Sequence, residues 1–99
     1  MQLITTLSGK GFIRLETGAP SQVQYRIDVW RDAAQVAFGR GRISGPVETI
    51  FRASLVKGAI PLALADNRVV EISITERGAG NDWAEIYVPD PLAGTGGAE

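Results

Sequence analysis

The sequence predicts an all-β fold, a small single-domain antiparallel barrel or two-sheet sandwich of seven or eight short strands. Three observations carry that expectation. From Val23 the chain alternates cleanly, with Val23, Tyr25, Ile27 and Val29 on one face and Gln24, Arg26, Asp28 and Trp30 on the other, which is the period of a half-buried strand. Clusters of Gly, Pro, Asn and Asp punctuate the chain about every eight to twelve residues, the spacing of consecutive short strands. No segment sustains an amphipathic helical period.

Residues 3–7 (LITTL) are rich in β-branched side chains, and residues 11–16 (GFIRLE) follow after Ser8, Gly9 and Lys10. The two segments read as a hairpin with glycine at a positive-φ turn position. Residues 17–21 (TGAPS) have loop composition. The strand from Val23 ends at residues 31–34 (RDAA), a turn, and a further strand spans residues 35–43 with Val36 and Phe38 expected inward. Residues 47–56 are assigned to a strand with Val47, Phe51, Ala53 and Leu55 on one face, although Val47, Ile50, Phe51 and Ser54 also match a short helix. Lys57 and Gly58 mark a turn.

The apolar run 60–64 (IPLAL) contains a proline, which lacks a ladder donor and favours an edge or a strand start. Residues 65–68 (ADNR) have turn chemistry, since Asp and Asn tolerate the left-handed region and bond their own backbone. Residues 69–76 give a strand with Val70, Ile72 and Ile74 inward, residues 77–82 a longer loop, and residues 83–88 the last strand. The domain is expected to occupy residues 1–91, and residues 92–99 to form a flexible tail.

At 99 residues the chain has the size of one domain, and its 44% apolar and 21% charged residues are ordinary for a globular protein. It has no cysteine, which excludes disulfides, a thiolate nucleophile, iron–sulfur clusters and cysteine zinc sites. It has no histidine either, so the usual general base is missing. The closest approaches to paired carboxylates are Asp82 with Glu85 and Glu71 with Glu76, and residues 78–82 supply too few oxygen ligands for a calcium loop. The protein is therefore expected not to be an enzyme and to use no cofactor or metal. No run approaches the roughly 18 apolar residues of a membrane span. Residues 1–11 lack the basic and apolar regions of a signal peptide, so a cytoplasmic location without membrane contact is expected.

The net charge of −1 hides an uneven distribution. Residues 1–57 hold eight basic and four acidic side chains, a balance of +4, and residues 58–99 hold two basic and seven acidic ones, a balance of −5. Strands of the two halves either interleave and neutralise each other across the sheet, or form opposed faces suited to an acidic partner or head-to-tail self-association.

Residues 39–46 (GRGRISGP) are the densest cluster of unusual residues. Gly39, Gly41 and Gly45 follow GxGxxxG instead of the GxGxxG of a dinucleotide fingerprint, and no βαβ unit surrounds them. Gly9, Lys10 and Gly11 likewise lack the GxxxxGK[ST] of a phosphate loop. Within a strand, however, the glycines permit close approach while Arg40 and Arg42 project from one face. Arg14, Arg26 and Arg52 fall on outward positions of neighbouring predicted strands and would extend the pair into a basic stripe. Trp30 lies on the polar face beside Arg31, a composition common in interface anchors.

Trp30, Arg31, Arg40 and Arg42 form the candidate interaction patch. The expected function is a non-catalytic protein-interaction module that binds a protein partner, or a second copy of itself, through a sheet face or edge. The alternative is a small barrel that binds single-stranded DNA or RNA, with Trp30 or Tyr87 stacking on bases. A pI near 5.4 opposes it.

Overall fold

The structure is a computed structural model and describes residues 1–15 and 19–92. In chain order these hold β1 (Gln2–Ile13), β2 (Ser21–Arg31), β3 (Ala37–Ser44), α1 (Val47–Ser54), β4 (Ile60–Ala63), β5 (Val69–Arg77) and β6 (Trp83–Val88). The strands close into one barrel in the order β1-β2-β3-β6-β5-β4, with every neighbouring pair antiparallel. The fold is all-β. Two meanders, β1-β2-β3 and β4-β5-β6, are joined through α1, and β4 returns to β1 by a narrow seam in which Phe12 pairs with Ala63 and Ile13 with Leu62.

The described residues hold six strands, fewer than the sequence reading counts, for two local reasons. The expected hairpin over residues 3–16 does not turn: β1 runs unbroken through Ser8, Gly9 and Lys10, all paired with β2. Gly9 has φ +154°, a value L side chains rarely adopt, yet the ladder keeps its register there, with Gly9 opposite Tyr25. Residues 47–56 also form no strand. Val47–Ser54 is helical, and the three-residue step from Ile50 to Ala53 puts both fully buried side chains on one face. The alternating pattern omits Ile50, which fixes this segment to the core. Glu48 in the first turn and Arg52 in the last complement the helix dipole.

The barrel interior is filled by alternate residues of each strand: Val23, Tyr25, Ile27 and Val29 from β2, Val70 and Ile72 from β5, Ala84, Ile86 and Val88 from β6. Tyr25 is the polar-tipped member of this set. Its hydroxyl accepts a hydrogen bond from the backbone N–H of Ala65 at 3.0 Å, which ties the side chain to the turn that follows β4. Pro91 is fully buried and Leu92 packs half-buried against the core. The rest of the expected tail, residues 93–99, lies outside the described residues, as do residues 16–18 of the expected strand end and loop.

The turns follow the side chains that the sequence reading singles out. Asp32 Oδ1 accepts from the backbone N–H of Ala34 at 2.8 Å and of Val36 at 3.0 Å, so β3 starts at Ala37, two residues later than expected. Asn67, at φ 73°, turns β4 into β5, with Asp66 Oδ1 accepting from the N–H of Arg68.

Candidate functional site

The face that matters is the outer surface of β2, β3 and β6. On β3, Ala37, Gly39, Gly41 and Ile43 point inward, so Phe38, Arg40 and Arg42 point outward together. This corrects the expectation that Val36 and Phe38 are inward. Val36 precedes the strand and is 55% exposed, and Phe38 shares the parity of the arginines. The glycines explain why this register holds. A Cβ on Gly41 would collide with the carbonyl oxygen of Arg26, and one on Gly39 would come within 2.8 Å of Ile27 Cγ2. β2 and β3 therefore approach more closely than side chains at these positions would permit.

Cross-strand pairing arranges the outward side chains in rows. One row runs Thr6, Asp28, Arg40, Tyr87, Ser73, and the next runs Ser8, Arg26, Arg42, Glu85, Glu76. A third joins Leu3, Trp30 and Phe38. Phe38 also stacks on Tyr87, with ring centroids 6.3 Å apart and planes inclined by 27°, so the apolar row continues into the arginine row. Arg26, Asp28, Arg40, Arg42, Glu85 and Tyr87 line a hollow of about 700 Å³ over Gly41.

The hollow holds charges of both signs, but they do not neutralise by contact. Arg42 faces Glu85 and Arg40 faces Asp28 in the register. Arg26, Arg40 and Arg42 nevertheless form no ion pair with any described residue. Asp28 Oδ1 instead accepts from the Thr6 hydroxyl at 2.9 Å. The Arg42 guanidinium lies over the Trp83 ring, 4.1 Å from its centroid, an orientation favoured by the ring quadrupole. Arg68 and Asp66 do pair, at 2.8 Å, but outside this hollow on the turn from β4 to β5. The hydrogen bonds that Arg68 donates from its backbone and side chain hold the Asp66 carboxyl below its ordinary value.

Of the candidate patch, Trp30, Arg40 and Arg42 share the outer face. Arg31 does not, because it follows Trp30 on a strand and takes the opposite face at the rim, where it pairs with Gln2 and Ala37. The expected basic stripe is also interrupted. Arg26 joins Arg40 and Arg42, whereas Arg14 and Arg52 line a second groove of about 720 Å³ with Leu15, Leu55 and Lys57. Arg52 stands on α1 and not on a strand, which is why it leaves the row.

Phe38 and Glu85 are site residues outside the expected patch, and Tyr87 is expected only as a stacking surface for single-stranded nucleic acid. Phe38 could have been found from its shared parity with Arg40 and Arg42. Tyr87 and Glu85 depend on the pairing of β3 with β6, which no local pattern specifies. Among the described residues no group of three or more Asp and Glu side chains converges as a metal site. No family model, curated protein or solved structure matches the chain.

Proposed function

We propose that this protein is a non-catalytic protein-interaction module that binds a partner through the outer face of β2, β3 and β6. One observation carries the reading: three arginines without ion pairs among the described residues line one hollow with Tyr87, on which Phe38 stacks, and Trp30 is the cross-strand partner of Phe38. Arginine and aromatic side chains are the residues enriched in the cores of protein interfaces. Partner carboxylates would supply the countercharge that Asp28 and Glu85 leave unmade, in the bidentate geometry that guanidinium groups favour.

The expected compartment is the cytoplasm, and no helix among the described residues is long and apolar enough to cross a membrane. The test uses an oligoglutamate peptide carrying one tyrosine as the acidic probe. It should bind the wild-type protein, with quenching of Trp fluorescence, and the Arg40→Glu/Arg42→Glu variant should lose that binding while keeping its circular dichroism spectrum. Equal binding by both proteins would overturn the reading.

A second reading, single-stranded nucleic acid, is favoured by one feature, the exposed Tyr87 ring beside Arg40. Asp28 and Glu85 in the same hollow oppose a polyanion more than a protein surface of mixed charge. An oligothymidylate that binds at low salt, with affinity falling steeply as salt rises, would favour this second reading.

A further inference from the structure

We propose that two copies of this chain associate through the free edge of β1, pairing antiparallel around a two-fold axis so that their β3-β2-β1 sheets join into one. The proposal goes beyond recognition by the outer face and does not depend on it. β1 pairs with β2 along most of its length, but it meets β4 only at Phe12 and Ile13. From Gln2 to Gly9, the side of β1 turned away from β2 has no strand partner among the described residues. That edge presents open backbone donors and acceptors to a further strand.

Edges of this kind are normally guarded by charges, prolines, bulges or covering segments. The segment Gln2, Leu3, Ile4, Thr5, Thr6, Leu7, Ser8, Gly9 contains no charge and no proline. Its irregularity is the register shift between Leu3 and Thr5, and Lys10 is its first charged neighbour after Met1. The longer strands β2, β3 and β5 all carry charged residues at outward positions.

The composition points to a second copy as the occupant. A two-fold axis brings each residue near it against itself or its close neighbours, so any charge in the segment would meet a like charge from its own copy. Eight consecutive uncharged residues remove that penalty. A strand chosen by charge would instead leave a complementary charge on this edge, and none is there. Pairing would also cover Leu3 and Ile4, which are 49% and 39% exposed. It would bring the Leu3, Trp30 and Phe38 rows of both copies onto one continuous surface next to the proposed interface.

Sedimentation of the full chain over a concentration series tests the proposal. The wild-type protein should move from the chain mass to twice that mass as concentration rises. Thr5→Lys, at an exposed position near the middle of the edge, should stay at the chain mass in low salt. Mixing Thr5→Lys with Thr5→Glu should restore the doubled mass, because the two charges then meet as opposites. Arg40→Glu/Arg42→Glu should dimerise like the wild type, which separates this edge from the outer face. A wild-type protein that stays at the chain mass throughout, or a Thr5→Lys variant that dimerises undiminished, would overturn the proposal. If Thr5→Lys loses its β spectrum, Ile4→Lys takes its place and is judged by the same outcomes.

Discussion

Arg26 and Arg42 are direct cross-strand partners on the outer face of the barrel, a like-charged pair with no described anion in contact. Such a pair disfavours the unbound fold by a few tenths of a kcal/mol to about 1 kcal/mol. Replacing Arg26 with Gln should therefore leave the protein as stable as before or raise stability by up to about 0.5 kcal/mol in urea denaturation, while weakening capture of an acidic probe. A clear loss of stability would mean that Arg26 holds the fold and not a ligand.

Trp30 stands between Leu3 and Phe38 on the outside of the sheet, away from the barrel core. Trp30→Ala should cost about 1 kcal/mol of cross-strand packing and leave a cooperative thermal transition, with loss of partner capture as its main effect. Absence of that transition would place Trp30 in the structural core.

Gly41 admits no larger residue without moving β2. Gly41→Ala should destabilise the barrel by about 3 kcal/mol, because the added carbon meets a backbone carbonyl, which cannot rotate away as a flexible side chain would. Chemical denaturation gives the number. A loss under about 0.5 kcal/mol would show that the strands are not in this register.

Glu76 faces Glu85 across β5 and β6 beside a register shift. Glu76→Lys turns the like pair into an opposite one and should raise stability by about 0.5 to 1 kcal/mol at low ionic strength. The gain should shrink as salt is added, since both side chains are exposed. A salt-independent gain would point to some cause other than charge.

Asp66 gives the fold a small dependence on acid. Its carboxyl lies below the ordinary 3.8 in the folded chain, because the ionised form accepts hydrogen bonds from Arg68 that the unfolded chain lacks. A depressed carboxylate contributes stability above the unfolded value and loses it as pH falls toward the folded one. The melting temperature of the wild type should therefore begin to fall below about pH 4, and Asp66→Asn should flatten that part of the profile. Identical profiles would remove Asp66 from the account.

β2, the Asp66–Arg68 turn and β6 are legible in the sequence because each rests on local information: strict alternation, a side chain bonding its own backbone, or an apolar run between turn residues. β1 reads as two strands because glycine at residues 9 and 11 signals a turn and a strand interior equally well, and long-range pairing with β2 chose between them. Residues 47–56 read as a strand because alternation and helical spacing overlap in so short a segment. Burial of Ile50 and Ala53 decided the matter for the helix.

The sequence by itself determined an all-β domain and the placing of Arg40 and Arg42 on one face, since a period of two needs only neighbouring residues. Only the tertiary structure decided that the sheet closes into a barrel, that Arg31 leaves the patch at the rim, that Arg26 stays beside Arg40 and Arg42 while Arg14 and Arg52 do not, and that Tyr87 and Glu85 line the same hollow. Those outcomes depend on which strand lies beside which. Contacts between residues some 45 positions apart settle that, as when Arg40 meets Tyr87 and Arg42 meets Glu85, and no local pattern records them.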